Sequence, residues 1–175
     1  MVAGVIAVGL SGGASAQAED LSDKTVGWLM DAAFGMMPDK FTTAEKKVIV
    51  VDRSKPDDYK IPVADARDVV KVGWNSARAQ VCKLLDKQRE NYQALVKHTE
   101  EAKKWSDKQM LYIRQLHLFV VQFGTGSVKI VQDGEDQKAE QVTPEEISPV
   151  KPCSDDEKKA LIERIDAYVQ GKTAG

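Results

Sequence analysis

From Val63 to Ala102 the chain repeats apolar or small residues at steps of three and four: Val63, Ala66, Val70, Trp74, Ala77, Val81, Leu84, Leu85, Tyr92, Leu95 and Ala102. Side chains so spaced line one face of an α-helix. Lys71, Lys83, Asp86, Glu90, Lys97, Glu101 and Lys104 fall off that stripe. The pattern predicts one long helix, roughly 60 Å at 1.5 Å per residue, with Gly73 as the point for a kink. A helix of this kind cannot bury its stripe alone, so other helices must lie along it.

Trp105-Ser106-Asp107 reads as a turn and a helix N-cap. The helix it opens, 108–123, turns Tyr112, Ile113, Leu116, Phe119, Val120 and Phe123 to one face, and Gly124-Thr125-Gly126 closes it. A short link between two such helices makes an antiparallel hairpin. Ser154-Asp155-Asp156-Glu157 is a capping box opening a last amphipathic helix through Leu161, Ile162, Ile165, Tyr168 and Val169, closed by Gly171. Near the other end, Ser22 caps the run 26–37, which Pro38 stops. The expected fold is mainly α: a helical bundle built on the long antiparallel hairpin over 63–123. A minor two-stranded β ribbon has candidate strands in Val48-Ile49-Val50-Val51 and Val128-Lys129-Ile130-Val131, which could pair with each other. Residues 52–62, with two prolines and three aspartates, read as a loop, and 133–152, acidic and carrying three prolines, as an extended loop.

Residues 1–18 carry no charge, and an apolar run there leads to Ala16-Gln17-Ala18 ahead of Glu19-Asp20. That is a signal-peptidase pattern, because the protease accepts only small side chains at those two alanine positions. It predicts cleavage after Ala18 and a single helical domain over 19–175, exported to the periplasm or secreted. No Lys or Arg precedes the apolar run, which points to a true start upstream of Met1. The plainer reading is an apolar N-terminus with no targeting role. Cys82 and Cys153, too far apart for a CxxC motif, are expected to form one disulfide in an oxidising compartment.

Composition excludes several function classes. Net charge is −2 at 30% charged residues, so the strongly basic face of a nucleic-acid binder is not expected. No run approaches the roughly 18 consecutive apolar residues of a membrane-spanning helix, so the cleaved chain is not expected to span a membrane.

No catalytic or nucleotide-binding motif is present. Ser76 follows Asn75 on the long helix without a nucleophile elbow or a partnered histidine. Asp65 and Asp68 stand one helical turn apart on the charged side, where solvation keeps both ionised. Asp133-Gly134-Glu135-Asp136 hints at a calcium loop but places Pro144 where the bidentate Glu belongs; Asp52, Asp57 and Asp58 fare no better. The histidines are His98 and His117. His117 shares a flank with Met110 and Val121, a weak candidate for a soft-metal site that Arg114 opposes by its charge. No cofactor is expected.

The one segment that could carry function by composition is 26–37. Val26, Trp28, Leu29, Met30, Phe34, Met36 and Met37 leave it little polar face, and methionines suit adaptable binding surfaces. Filling the groove of the bundle is its plainer role. Two functions follow as expectations. One is a non-enzymatic protein–protein interaction or structural module, holding a protein partner or a second copy. The alternative is a small-ligand or metal-binding bundle using the interior near His117.

Overall fold

Five helices and two short antiparallel ribbons follow the chain in the computed structural model, which describes residues 21–42, 46–133, 136–143, 146–147 and 152–172. The expected signal segment, 1–18, lies outside the described residues. Helix α1 is Asp23–Gly35, with the Ser22 hydroxyl accepting from the Thr25 amide as the N-cap. Strands β1 (Lys40–Thr42) and β2 (Val48–Val50) pair with each other, Phe41 opposite Ile49. Then come α2 (Val63–Val81), α3 (Leu85–Glu101) and α4 (Asp107–Gly124), a second ribbon of β3 (Val128–Asp133) and β4 (Asp136–Gln141), and α5 (Asp155–Val169).

The mainly helical class is as expected, but the single long helix is two. The stripe breaks at Cys82-Lys83-Leu84. The Leu84 amide donates to the Ala79 carbonyl at 2.8 Å and the Lys83 amide to that of Gln80 at 3.1 Å. This bond pair is the Schellman end of a helix, and it needs a left-handed residue between helix and exit. Lys83 supplies it, at φ 60°. The chain then doubles back, and α3 packs along α2. Leu85, which the stripe would bury, is exposed.

Helix α2 is the centre of the molecule, packed on α4, α3, α1 and α5. That is why its burial exceeds one stripe: Val69 and Val72 are as buried as Ala66 and Val70. Gly73 marks no break in α2 but a close approach to α4. A Cβ there would lie 2.8 Å from Val120 Cβ. Gly124 makes the reciprocal approach, with Ala77 Cβ at 2.7 Å from its ideal Cβ position. Gly73→Ala should therefore destabilise the chain by about 1–3 kcal/mol through overpacking, although alanine is the better helix former. Urea unfolding checks this, and an unchanged midpoint would show that α2 and α4 part easily enough to admit the methyl.

The ribbons also differ from expectation. Val48 and Val128 belong to separate sheets, each closed by its own neighbour in sequence. Strand β4 falls inside the stretch expected to be an extended loop. Asp-Gln-Lys-Ala-Glu-Gln has no β-branched residue, so propensity did not reveal it; β3 supplies its backbone partners, and Ala139 packs against the core. The 52–62 loop is tied down by Tyr59, whose buried hydroxyl donates to the Val50 carbonyl and accepts from the Asp52 amide, both at 3.1 Å. Arg53 donates to the carbonyls of Phe34, Gly35 and Met37 at the end of α1, where backbone acceptors lack helical partners.

Cys82 and Cys153 are joined, Cα to Cα 5.3 Å, closing a separation of 71 residues. The bridge fixes the start of α5 to the corner between α2 and α3. Around it Ala79, Leu161 and Ile165 form a small second core. Among the described residues no helix is long and apolar enough to cross a membrane.

Candidate functional site

Helices α3 and α4 both lie on α2 but barely touch each other. The gap between them is a cleft of about 930 Å³, with Phe41 and Ile49 of the first ribbon also lining it. Tyr92 lines the α3 side, and Leu111, His117 and Leu118 line the α4 side. Leu85 and Leu118, about half exposed at 59% and 48%, leave apolar surface at its mouth. Charges there are paired: Arg114 reaches from α4 to Glu100 of α3 at 3.0 Å, Lys47 to Asp107 at 2.6 Å, and Arg89 to Asp86. The hydrogen bond from Lys47 holds the Asp107 carboxyl below its ordinary range.

One polar side chain from each of three helices meets beside this cleft. Ser76 (α2), Asn91 (α3) and His117 (α4) are all buried. The Asn91 amide donates to the Val72 carbonyl and to Ser76 Oγ, each at 2.9 Å, and Ser76 Oγ lies 3.0 Å from His117 Nε2. The Tyr92 ring lies 5.0 Å from the imidazole, centre to centre. Burial pushes the His117 pKa down to about 4, so the ring is neutral at ordinary pH.

Ser76 thus has the partnered histidine that sequence spacing did not reveal. A serine–histidine contact is the geometry of an activated nucleophile, but Ser76 is fully buried. No substrate carbonyl can approach its oxygen while the helices stay packed. The legible signal was weak: Ser76 and Asn91 are polar residues at positions that face other helices, and only the fold-back of α3 brings them together.

The segment singled out by composition lies mostly in the core. Val26, Leu29, Met30, Phe34 and Met37 are buried. Trp28 is half-buried and meets Phe123 edge-on at 5.8 Å; Met36, also half-buried, packs against the same core. Met110, Arg114, His117 and Val121 do share one flank, and all four line the cleft. Among the described residues no group of three His, Cys, Asp or Glu is placed to hold a metal ion.

Three of the other carboxylate candidates are engaged in ordinary surface contacts. Asp65 pairs with Lys104 at 2.6 Å, and Asp58 with Lys108 at 2.8 Å. Asp52 accepts from the Ser54 amide and hydroxyl, at 3.0 and 2.6 Å. Gly134 and Glu135 of the acidic turn lie outside the described residues. His98 meets Tyr168 edge-on at 5.0 Å in a smaller cleft of about 330 Å³.

Comparisons with protein-family models, with curated proteins and with solved structures give no match for this chain.

Proposed function

We propose that the chain is an exported, non-enzymatic binding module that holds a small, largely apolar organic molecule in the cleft between α3 and α4. The observation that carries this is the cleft itself. Its volume of about 930 Å³ falls within the range of small-molecule sites, roughly 300–1,000 Å³. Its walls are mixed: Phe41, Ile49, Tyr92, Met110, Leu111 and Leu118 offer apolar surface to such a molecule, beside the charged side chains of Lys47, Arg89, Glu100, Asp107 and Arg114, which pair among themselves or with neighbours. The closed disulfide favours an oxidising compartment and supports the export reading.

Fluorescence titration with the neutral probe N-phenyl-1-naphthylamine tests the reading. One saturable site per chain is expected. Leu118→Lys, at an exposed position in the cleft, should weaken it about tenfold, the equivalent of losing one apolar contact surface of roughly 1.4 kcal/mol. Val169→Lys, at an exposed apolar position on α5, should leave it unchanged. Absence of saturable binding, or equal loss in both variants, sinks the reading.

A protein partner or second copy is the second reading, and it rests on β2. Val48 and Val50 are 58% and 61% exposed on the face opposite the buried Ile49. A partner covering that pair would be lost on Val48→Lys, Val50→Lys replacement, read as a change of mass in native mass spectrometry.

A further inference from the structure

The cleft between α3 and α4 is long. Its wall on α4 runs from Asp107 to Val121, and its wall on α3 from Leu85 to Glu100. At 1.5 Å per residue each wall is about 20 Å long, nearly the whole of either helix. Two contacts fix how the walls face each other. Arg114 reaches Glu100; a turn further along α4, His117 meets the ring of Tyr92, two turns back along α3. The helices are therefore antiparallel here. Leu85 and Arg89 lie towards the Val121 end. The ribbon lies at the Asp107 end, where Lys47 pairs with Asp107.

The two ends differ in charge. Lys47 and Asp107 both line the cleft and compensate each other, with the Asp107 carboxyl held below its ordinary range. Midway, Arg114 and Glu100 do the same. At the far end Arg89 lines the cleft, but its partner Asp86 does not. The lining is thus left with one positive charge in excess, and Arg89 carries it. Asp86 accepts from Nη2 alone, so Nη1 and Nε have no acceptor among the described residues. Both side chains of that pair are largely exposed, where an ion pair contributes little. An incoming carboxylate can share the guanidinium at small cost. Between this end and the ribbon, Leu118, Met110 and Leu111 continue apolar surface along α4.

We infer that the molecule held in the cleft is a long-chain fatty acid, its carboxylate against Arg89 and its alkyl chain lying along α4 towards Ile49. One acyl chain spans half the roughly 30 Å hydrocarbon core of a bilayer, so chain and head together match the length of the walls. This rests on the ligand-binding reading above and adds the chemical class and orientation of the ligand.

Two measurements test it on the purified chain. Dodecanoate and dodecanol, which share a chain and differ in the head, are compared as competitors of N-phenyl-1-naphthylamine. The carboxylate should bind about tenfold tighter, the effect of one charge-assisted hydrogen bond. Arg89→Gln should reduce that preference to within about twofold. Lys97→Gln, at an exposed position on α3 outside the cleft, should leave it intact. Methyl spectra are then recorded with stearate carrying a nitroxide either beside its carboxylate or at its far end. The first label should broaden Leu85 more than Ile49, and the second Ile49 more than Leu85. Equal affinity of acid and alcohol, a preference that survives Arg89→Gln, or the same methyls broadened by both labels overturns the inference and leaves the cleft reading standing. Binding of neither the naphthylamine nor the acid overturns both.

Discussion

Replacing Cys82 and Cys153 together by serine is expected to lower the stability of the chain by about 4 kcal/mol, the chain-entropy value for closing a loop of this length. The bridge joins the α2–α3 corner to the residue before the Ser154 cap. What else holds α5 is modest: the buried pair Leu161 and Ile165, Tyr168 against His98 and the main core, and ion pairs from Arg78 to Glu157 at 3.0 Å and from Lys87 to Asp166 at 2.7 Å. Partly exposed ion pairs contribute little. The loss should therefore appear first in α5. In hydrogen exchange its amides should lose protection before those of α2 and α4. A double variant unfolding within about 1 kcal/mol of the parent would show that the denatured chain gains little freedom when the bridge is absent.

Acidification gives the second large effect, and its sign follows from His117. In the unfolded chain its imidazole binds a proton near the ordinary value of 6.5; in the folded chain burial delays this to about 4. Between those values the unfolded state holds more protons than the folded one. Stability is therefore fully present above about 6.5 and falls as pH drops towards 4, by about 3 kcal/mol for this group alone. Carboxylates add their own acid dependence, so the comparison is with His117→Phe, which keeps an aromatic ring beside Tyr92. The parent should lose about 3 kcal/mol more than the variant across this window. Parallel stability curves would mean that the folded imidazole titrates as it does in water.

Three of the helix starts were legible because their chemistry is local. Ser22, Ser106 and Ser154 each accept from a backbone amide three residues on, as spacing alone indicates. The ends at Gly126 and Gly171 were legible too. Both sit at positive φ, in the same bond pattern that closes α2. The end of α2 was not legible, because a lysine holds the left-handed position there and the apolar stripe runs on past it. The two patterns predict different molecules, and local backbone geometry decides between them.

The candidate site depended on that same turn. Once the chain reverses at Lys83, Asn91 comes beside Ser76 and Val72, and the cleft opens between α3 and α4. The flank of Met110, His117 and Val121 was readable from spacing, but its partner wall was not. The composition of 26–37 drew attention to α1 because an almost wholly apolar helix can be either a core element or a binding face. In this fold α4, α2, strand β4 and the 52–62 loop surround it, and its apolar side chains pack into the main core.

The most direct measurement is a methyl proton–carbon correlation spectrum of the purified chain, recorded as N-phenyl-1-naphthylamine is added. If the cleft is the site, saturable shifts will be confined to its lining, namely Ile49, Leu85, Met110, Leu111, Leu118 and Val121. The methyls of Val26, Leu161 and Ile165, in the two cores, will stay in place. Saturable shifts centred on α5 or α1, or none at concentrations where a small-molecule carrier should fill, would contradict a binding role for this cleft.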